Sequence, residues 1–264
     1  MQPAPDAPKP HEPPVLVHVH EGWAEIVLNR PARRNAIEGS LAEGLIAAIE
    51  QVQADASIRA VLLRGAGGAF CSGLDLKAFN EDPRPAWVAG FGERWRSMHI
   101  ALASLDRVLI VALERYAING GAALAIAGDL LVAGESAVLQ VGEIQLGMAA
   151  PNNIAWLLMR HSEAVAARLA LAGDKVGAAE LHRLGVVTEV RPDDQVLERC
   201  RSLAAELARC PAATVTLIKS TLRRGSIGMT PKAWFESFAA GQPAVRPPAS
   251  VAQAVQAGAG GRTS

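Results

Sequence analysis

Arg64–Leu76 reads RGAGGAFCSGLDL and continues directly from the apolar run AVLLR at 60–64. A buried strand that opens into small and glycine residues makes a loop whose backbone N–H groups can point into a cleft and hold an oxyanion. An ordinary glycine-rich turn has the same composition, and both readings stand on this segment alone. GAGGAF also matches the opening of a dinucleotide-binding GxGxxG. Phe70 occupies its last position, however, and CSG follows where a helix should begin, which argues against that site. A second glycine segment, AINGGAALAIAGDLLVA at 117–133, places Gly120 and Gly121 at a helix start. Unpaired N–H groups and the positive end of the helix dipole meet there. The glycine pair either forms a second anion site or only lets the helix pack closely on a sheet.

Around these segments the pattern alternates. VLVHVH (15–20) and AEIVLN (24–29) read as a strand hairpin, Ser40 opens a helix through Val52, and 60–64 is the next strand. Trp87, Phe91, Trp95, Met98 and Leu102 are spaced for a helix over 85–105, and VLIVAL (108–113) is a fully apolar strand. The glycine pair opens a helix over 120–128, and LLVA (130–133) is a short strand. Beyond Pro151 helices dominate, over 154–160, 164–172, 178–184, 196–208, 211–223 and 231–240, with one strand at VVTEV (186–190). The order is α/β first and mostly helical afterwards. Residues 1–14 hold six prolines and read as a disordered tail; 241–264 are also poor in large apolar groups.

The 264 residues carry 26 basic and 26 acidic side chains, a formal net charge of zero. That balance removes the main electrostatic reason to expect nucleic acid or an anionic membrane as partner. No apolar run approaches the roughly 20 residues of a membrane span, and the N-terminal stretch lacks the features of a secretion signal. Three cysteines, Cys71, Cys200 and Cys210, are too few for a disulfide framework and lack metal-ligand spacing. A cytoplasmic protein with reduced thiols and no metal is expected. The low aromatic content, 4%, implies small side chains and modest burial per residue, for which a subunit interface would compensate.

NRPARRNAI (29–37), GAFCSGLDL (68–76), NGGAALAIAGDLLVAGESA (119–137) and VGEIQLGMAAP (141–151) together resemble the crotonase, or enoyl-CoA hydratase/isomerase, superfamily. The four motifs occur in that family's order, and the resemblance covers about 15–235. It implies a crotonase-like spiral of ββα units over 15–195, followed over 196–264 by a C-terminal helical region that builds homotrimers or hexamers. It also implies a coenzyme A thioester as substrate and no further cofactor. By motif position, the N–H groups of Leu74 and Gly120 would hold the thioester oxygen, and Glu143 would move the proton. Arg33, Ala66, Ser72, Gly73, Asp75, Lys77 and Gly121 would line the substrate, with Arg30, Arg34 and the other cations toward the phosphates. Asp75 and Asp129 are expected to fix loops or helix ends.

The second glutamate typical of hydratases falls at Ala123, whose methyl neither holds water nor transfers a proton. One carboxylate suffices to move a proton between C2 and C4 of an enoyl thioester, so an isomerase is the preferred expectation. A hydratase in which Glu143 acts alone or with Asn152 and Asn153 is the alternative, although these asparagines are first expected to cap the following helix. A non-catalytic acyl-CoA-binding subunit is the third reading. Cys71 beside Ser72 invites a nucleophile, but no His lies in a matching motif. His18 and His20 alternate on a strand and are expected on its exposed face. The series at 250–260 lacks the basic, Phe-containing end common in the family.

Overall fold

A computed structural model describes residues 12–239. The expectations for 1–11 and 240–264 therefore lie outside the described residues. Strands β1 (Val15–His20) and β2 (Trp23–Leu28) form the hairpin, and Asn29 N–H fastens the chain before β1 through Pro14 O at 2.7 Å. Helix α1 (Gly39–Ala54), strand β3 (Ala60–Gly65) and the single turn α2 (Leu76–Phe79) follow. Then come α3 (Phe91–Ser104), β4 (Val108–Leu113), β5 (Tyr116–Ile118), α4 (Gly120–Ile126), β6 (Leu130–Gly134) and β7 (Val138–Gln140). The second half holds α5 (Pro151–Arg160), α6 (Glu163–Ala172), β8 (Lys175–Gly177), α7 (Ala178–Arg183) and β9 (Glu189–Arg191). Helices α8 (Val196–Ala208), α9 (Ala212–Ile227) and α10 (Pro231–Ala239) complete it.

One six-stranded sheet runs β1-β2-β3-β4-β6-β9, parallel except for the β1–β2 hairpin. Its inner strands β3, β4 and β6 are apolar on both faces because both are covered. Val61, Leu63, Leu109, Val111 and Leu131 belong to the main core with α1, α3, α4 and α5. The alternate residues Ala60, Leu62, Ile110, Ala112 and Val132 meet Val196, Cys200 and Ala204 of α8. Phe235 of α10 closes the main core, stacking on His99 of α3 with ring centroids 5.9 Å apart. His99 Nδ1 accepts from Trp156 Nε1–H at 2.9 Å, and burial pushes the imidazole down to about 3, so it stays neutral.

Three expectations change. The pattern over 85–105 is interrupted: a 3-10 turn at Ala86–Val88 ends before Gly90, which takes φ +69°, and α3 starts at Phe91. The strand expected at 186–190 is Glu189–Arg191, because Val186 and Val187 N–H groups fold back onto Leu181 O at 2.8 and 3.2 Å and finish α7. A second, three-stranded sheet, β5-β7-β8, was not expected from the sequence. No helix among the described residues is long and apolar enough to cross a membrane.

Candidate active site

Two isolated parallel bridges shape the chain after β3. In one, Cys71 N–H donates to Tyr116 O and Ile118 N–H to Cys71 O, both at 3.1 Å. In the other, Ile37 N–H donates to Gly73 O and Asp75 N–H to Ile37 O, both at 2.8 Å. This pattern uses the neighbours of Leu74 and leaves its own N–H out of the ladder. The Gly120 N–H, at the first position of α4, has no intrahelical acceptor. The segments carrying these donors touch. A Cβ at Gly73, where φ is +84°, would stand 2.7 Å from Ile118 O, and one at Gly121 would stand 2.7 Å from Cys71 O. Only glycine permits this approach of one backbone to the other.

Between them, Asn119 takes φ 52° and ψ −114°, a costly conformation for a residue with a side chain. Its own groups hold it there. Its N–H donates to Gln140 O at 2.7 Å, and its Oδ1 accepts from Gly142 N–H at 2.9 Å. Its carbonyl accepts from Ala123 N–H and Asn153 Nδ2, both at 3.1 Å. Asn119 thus orients the following Gly120 N–H and fastens the segment that leads into Glu143.

Glu143 opens a 3-10 turn, Glu143–Leu146, and is only 7% exposed. Asn153 Nδ2 donates to its Oε1 at 2.7 Å; among the described residues Glu143 Oε2 and Asn153 Oδ1 have no partner. Burial pushes the carboxyl up to about 7, against the pull of its own N–H and the Asn153 amide. A carboxyl half ionised near neutrality can take a proton and return it. The turn is anchored by Met148 N–H on Glu143 O at 2.9 Å and Gln145 Nε2 on Gly173 O at 2.9 Å. Ala123 is fully buried in α4.

The other expected positions cluster on the same loops. Asn35, buried with φ 53°, donates through Nδ2 to Ala66 O and Ala69 O at 2.9 and 2.8 Å and so shapes the glycine loop. Ser72 N–H reaches Arg34 O at 3.1 Å. Asp75 caps α2 through Ala78 N–H at 3.1 Å and takes the Arg33 guanidinium at 2.8 and 2.9 Å. Burial would raise its pKa, but the Ala78 N–H and the arginines outweigh that and lower it. Arg30 is tied to Ala36 O at 2.5 Å and lies 3.6 Å from Asp75, whereas Arg33, Arg34 and Lys77 are exposed.

Asn35 and Asn119 are the residues whose parts in the site were not foreseen, and Asn153 was expected first as a cap and only in the alternative reading beside Glu143. Asn35 and Asn119 were visible only as members of motifs. Asn153 does not cap α5. Ala150 holds the N-cap position, no side chain caps that end, Pro151 supplies the first turn, and the Asn153 amide turns to Glu143 instead. Cys71 is buried with its thiol pushed up to about 12, which leaves no thiolate for attack. His18 and His20 are exposed on β1. Among the described residues no group of three or more His, Cys, Asp or Glu side chains is placed to hold a metal ion.

Two backbone donors beside one elevated carboxyl can stabilise an enolate and move its proton. The family model described as enoyl-CoA hydratase/isomerase matches residues 18–237. A 1,2-epoxyphenylacetyl-CoA isomerase of Escherichia coli is 35% identical over 212 residues, 79% of this chain and 81% of that protein. A probable enoyl-CoA hydratase of Mycobacterium bovis is 34% identical over 241 residues, 88% of this chain and 85% of that protein. The crystal structure of an enoyl-CoA hydratase from Mycobacterium tuberculosis H37Rv matches with a TM-score of 0.73 at 32% identity, covering 86% of this chain and 88% of that one. The sheet, the paired loops and these relatives agree: the chain belongs to the enoyl-CoA hydratase/isomerase family and is an acyl-CoA-processing enzyme of the crotonase fold.

Proposed function

We propose that the enzyme shifts the double bond of an enoyl-CoA. The observation that carries this reading is that Glu143 is a buried carboxyl without a counter-charge among the described residues, with alanine where hydratases place a second glutamate. Glu143 removes a C2 proton from a 3-enoyl thioester. The C3=C4 electrons become part of a dienolate whose oxygen lies between the Leu74 and Gly120 N–H groups. The same proton returns at C4, which leaves the double bond at C2=C3. Each N–H donor of this kind contributes roughly 3–4 kcal/mol in other enzymes. The exposed Arg33, Arg34 and Lys77 support phosphate contacts at the same edge. Leu217, Ile218 and Leu222, exposed along α9, support assembly with further copies of the chain as a trimer or hexamer.

The test is Glu143→Gln. Conversion of 3-enoyl-CoA, followed by the rise of conjugated-thioester absorbance, should fall by roughly 10²–10⁴-fold, with binding of a saturated acyl-CoA retained. An undiminished rate would overturn the assignment. A second reading, hydration, is favoured by one feature: Glu143 Oε2 and Asn153 Oδ1, on adjacent side chains, are buried acceptors without partners among the described residues. A water donating to both would stand in for the hydratase arrangement, with Asn153 in the part of the second carboxylate. Loss of absorbance on adding crotonyl-CoA identifies that outcome.

A further inference from the structure

Asn153 is 2% exposed on the first turn of α5, and one amide nitrogen makes two contacts, to Glu143 Oε1 at 2.7 Å and to Asn119 O at 3.1 Å. An Asn NH2 has two hydrogens, so both bonds are made at once. The Asn119 carbonyl belongs to the same peptide unit as the Gly120 N–H. A carbonyl that accepts hydrogen bonds polarises its peptide and strengthens the N–H as a donor, and this one accepts from both Asn153 and Ala123. We infer that Asn153 is a positioning residue that ties the base to the oxyanion-hole peptide, holding Oε1 of Glu143 so that Oε2 takes the proton while polarising the Gly120 N–H toward the thioester oxygen.

This inference rests on Glu143 as base. Among the described residues the tie has no competitor from charge, because burial, the Glu143 N–H and the Asn153 amide are the influences on the carboxyl. The ionisable groups of the packed elements are engaged elsewhere or exposed. Arg160 of α5 and Lys219 and Arg223 of α9 are held at Asp129; on α6, Arg168 is paired with Asp174 at 2.7 Å and Glu163 is exposed, and on α10 Lys232 and Glu236 are exposed. An N–H donated to a carboxylate favours its ionised form. Removing the donor therefore raises the Glu143 pKa and leaves the carboxyl free to rotate.

The experiment compares the full-length wild type with Asn153→Leu, which has similar volume and no donor, and Asn153→Asp, which keeps the shape and adds an acid. The Glu143 carboxyl is titrated by carbon-13 NMR without substrate, assigned by its absence in Glu143→Gln. The pH dependence of kcat and the binding of a saturated acyl-CoA are measured alongside. In Asn153→Leu the Glu143 titration and the acid limb of kcat should both rise by roughly one to two pH units. The plateau kcat should fall on the order of 10²-fold, with acyl-CoA binding little changed. Asn153→Asp should raise the limb at least as far, because two carboxyls then share one site. A Glu143 titration that stays in place in both variants overturns the tie. If Asn153→Leu moves the titration but Glu143→Gln still turns over, the base assignment fails while the hydrogen-bonded tie itself stands.

Discussion

Glu143 and Asp129 are both withdrawn from water, and their acidities move in opposite directions. Asp129, between α4 and β6, accepts from Leu109 N–H at 2.8 Å, Lys219 Nζ at 2.7 Å and Arg160 Nη1 at 3.1 Å, with Arg223 at 3.7 Å. Burial acts to raise its pKa, but Lys219, Arg160 and the backbone donor outweigh it and hold the carboxyl below its usual value. Glu143, more deeply buried than Asp129, has amide donors only and rises to about 7. Glu25, 2% exposed, sides with Asp129: burial pushes it up, and Arg201 at 2.9 Å and Arg64 at 3.2 Å bring it down. A buried acid with counter-charges fastens elements together, whereas one without them can exchange its proton near neutral pH. The cluster around Asp129 joins α5 and α9 to the start of β4; the turn carrying Glu143 joins only neutral partners.

The comparison breaks most visibly at Asp129→Asn. Asparagine still accepts from Leu109 N–H, but Lys219, which is only 7% exposed, loses its carboxylate. Losing one partner of a buried pair costs roughly 3–5 kcal/mol, read by chemical denaturation, with turnover per folded molecule preserved. The remedy open to the variant is deprotonation of Lys219, whose pKa burial already lowers. A lysine with a depressed folded pKa binds fewer protons folded than unfolded, so stability rises with pH until the unfolded lysine also titrates. The deficit of the variant should shrink between neutral and alkaline pH. A deficit independent of pH would mean that Lys219 keeps its charge by finding another partner.

Glu143→Gln should act with the opposite sign. The Glu143 pKa is raised from 4.5 in the unfolded chain to about 7 in the folded one. Between these values the unfolded chain gives up its proton first, so stability falls as pH rises and then stays reduced above about 7. The penalty has a ceiling on the order of 3 kcal/mol, and glutamine removes it. The variant should match the wild type well below pH 4.5 and be more stable at pH 8, less whatever the altered bond to Asn153 costs. Equal stability at both pH values would show that the carboxyl is better solvated than its burial indicates, and would erase the contrast with Asp129.

How much of this was legible depended on how local each cause is. The strands at 60–65, 108–113 and 130–134 announce themselves because both faces are covered and nearly every residue is apolar. The motifs around Gly73, Gly120 and Glu143 were readable because their chemistry demands particular residue types at those points. Strands β5, β7 and β8 have three residues each, too few for an alternating pattern to register. The part played by Asn153 depends on Asn119, 34 positions away, and an asparagine near a helix start reads by default as a cap. Arg33 reads as a phosphate contact, and nothing local shows that Asp75, 42 positions on, also takes its guanidinium.

The smallest test concerns Glu25, which has two arginines where one would balance it. Arg201 is 46% exposed in its side chain and Arg64 only 18%. Replacing Arg201 by Met keeps an unbranched apolar stem, removes the charge and leaves Arg64 to hold the carboxylate. An exposed member of such a pair contributes about 0–1 kcal/mol, so Arg201→Met should lower stability by about that much at neutral pH. Glu25 has a depressed folded pKa, so the stability it supplies is present above the unfolded value of 4.5 and is lost as pH falls. The cost of Arg201→Met should therefore vanish in acid. A loss as large as that of Asp129→Asn would mean that two counter-charges on Glu25 act as one unit, and that counting cations overstates how independent they are.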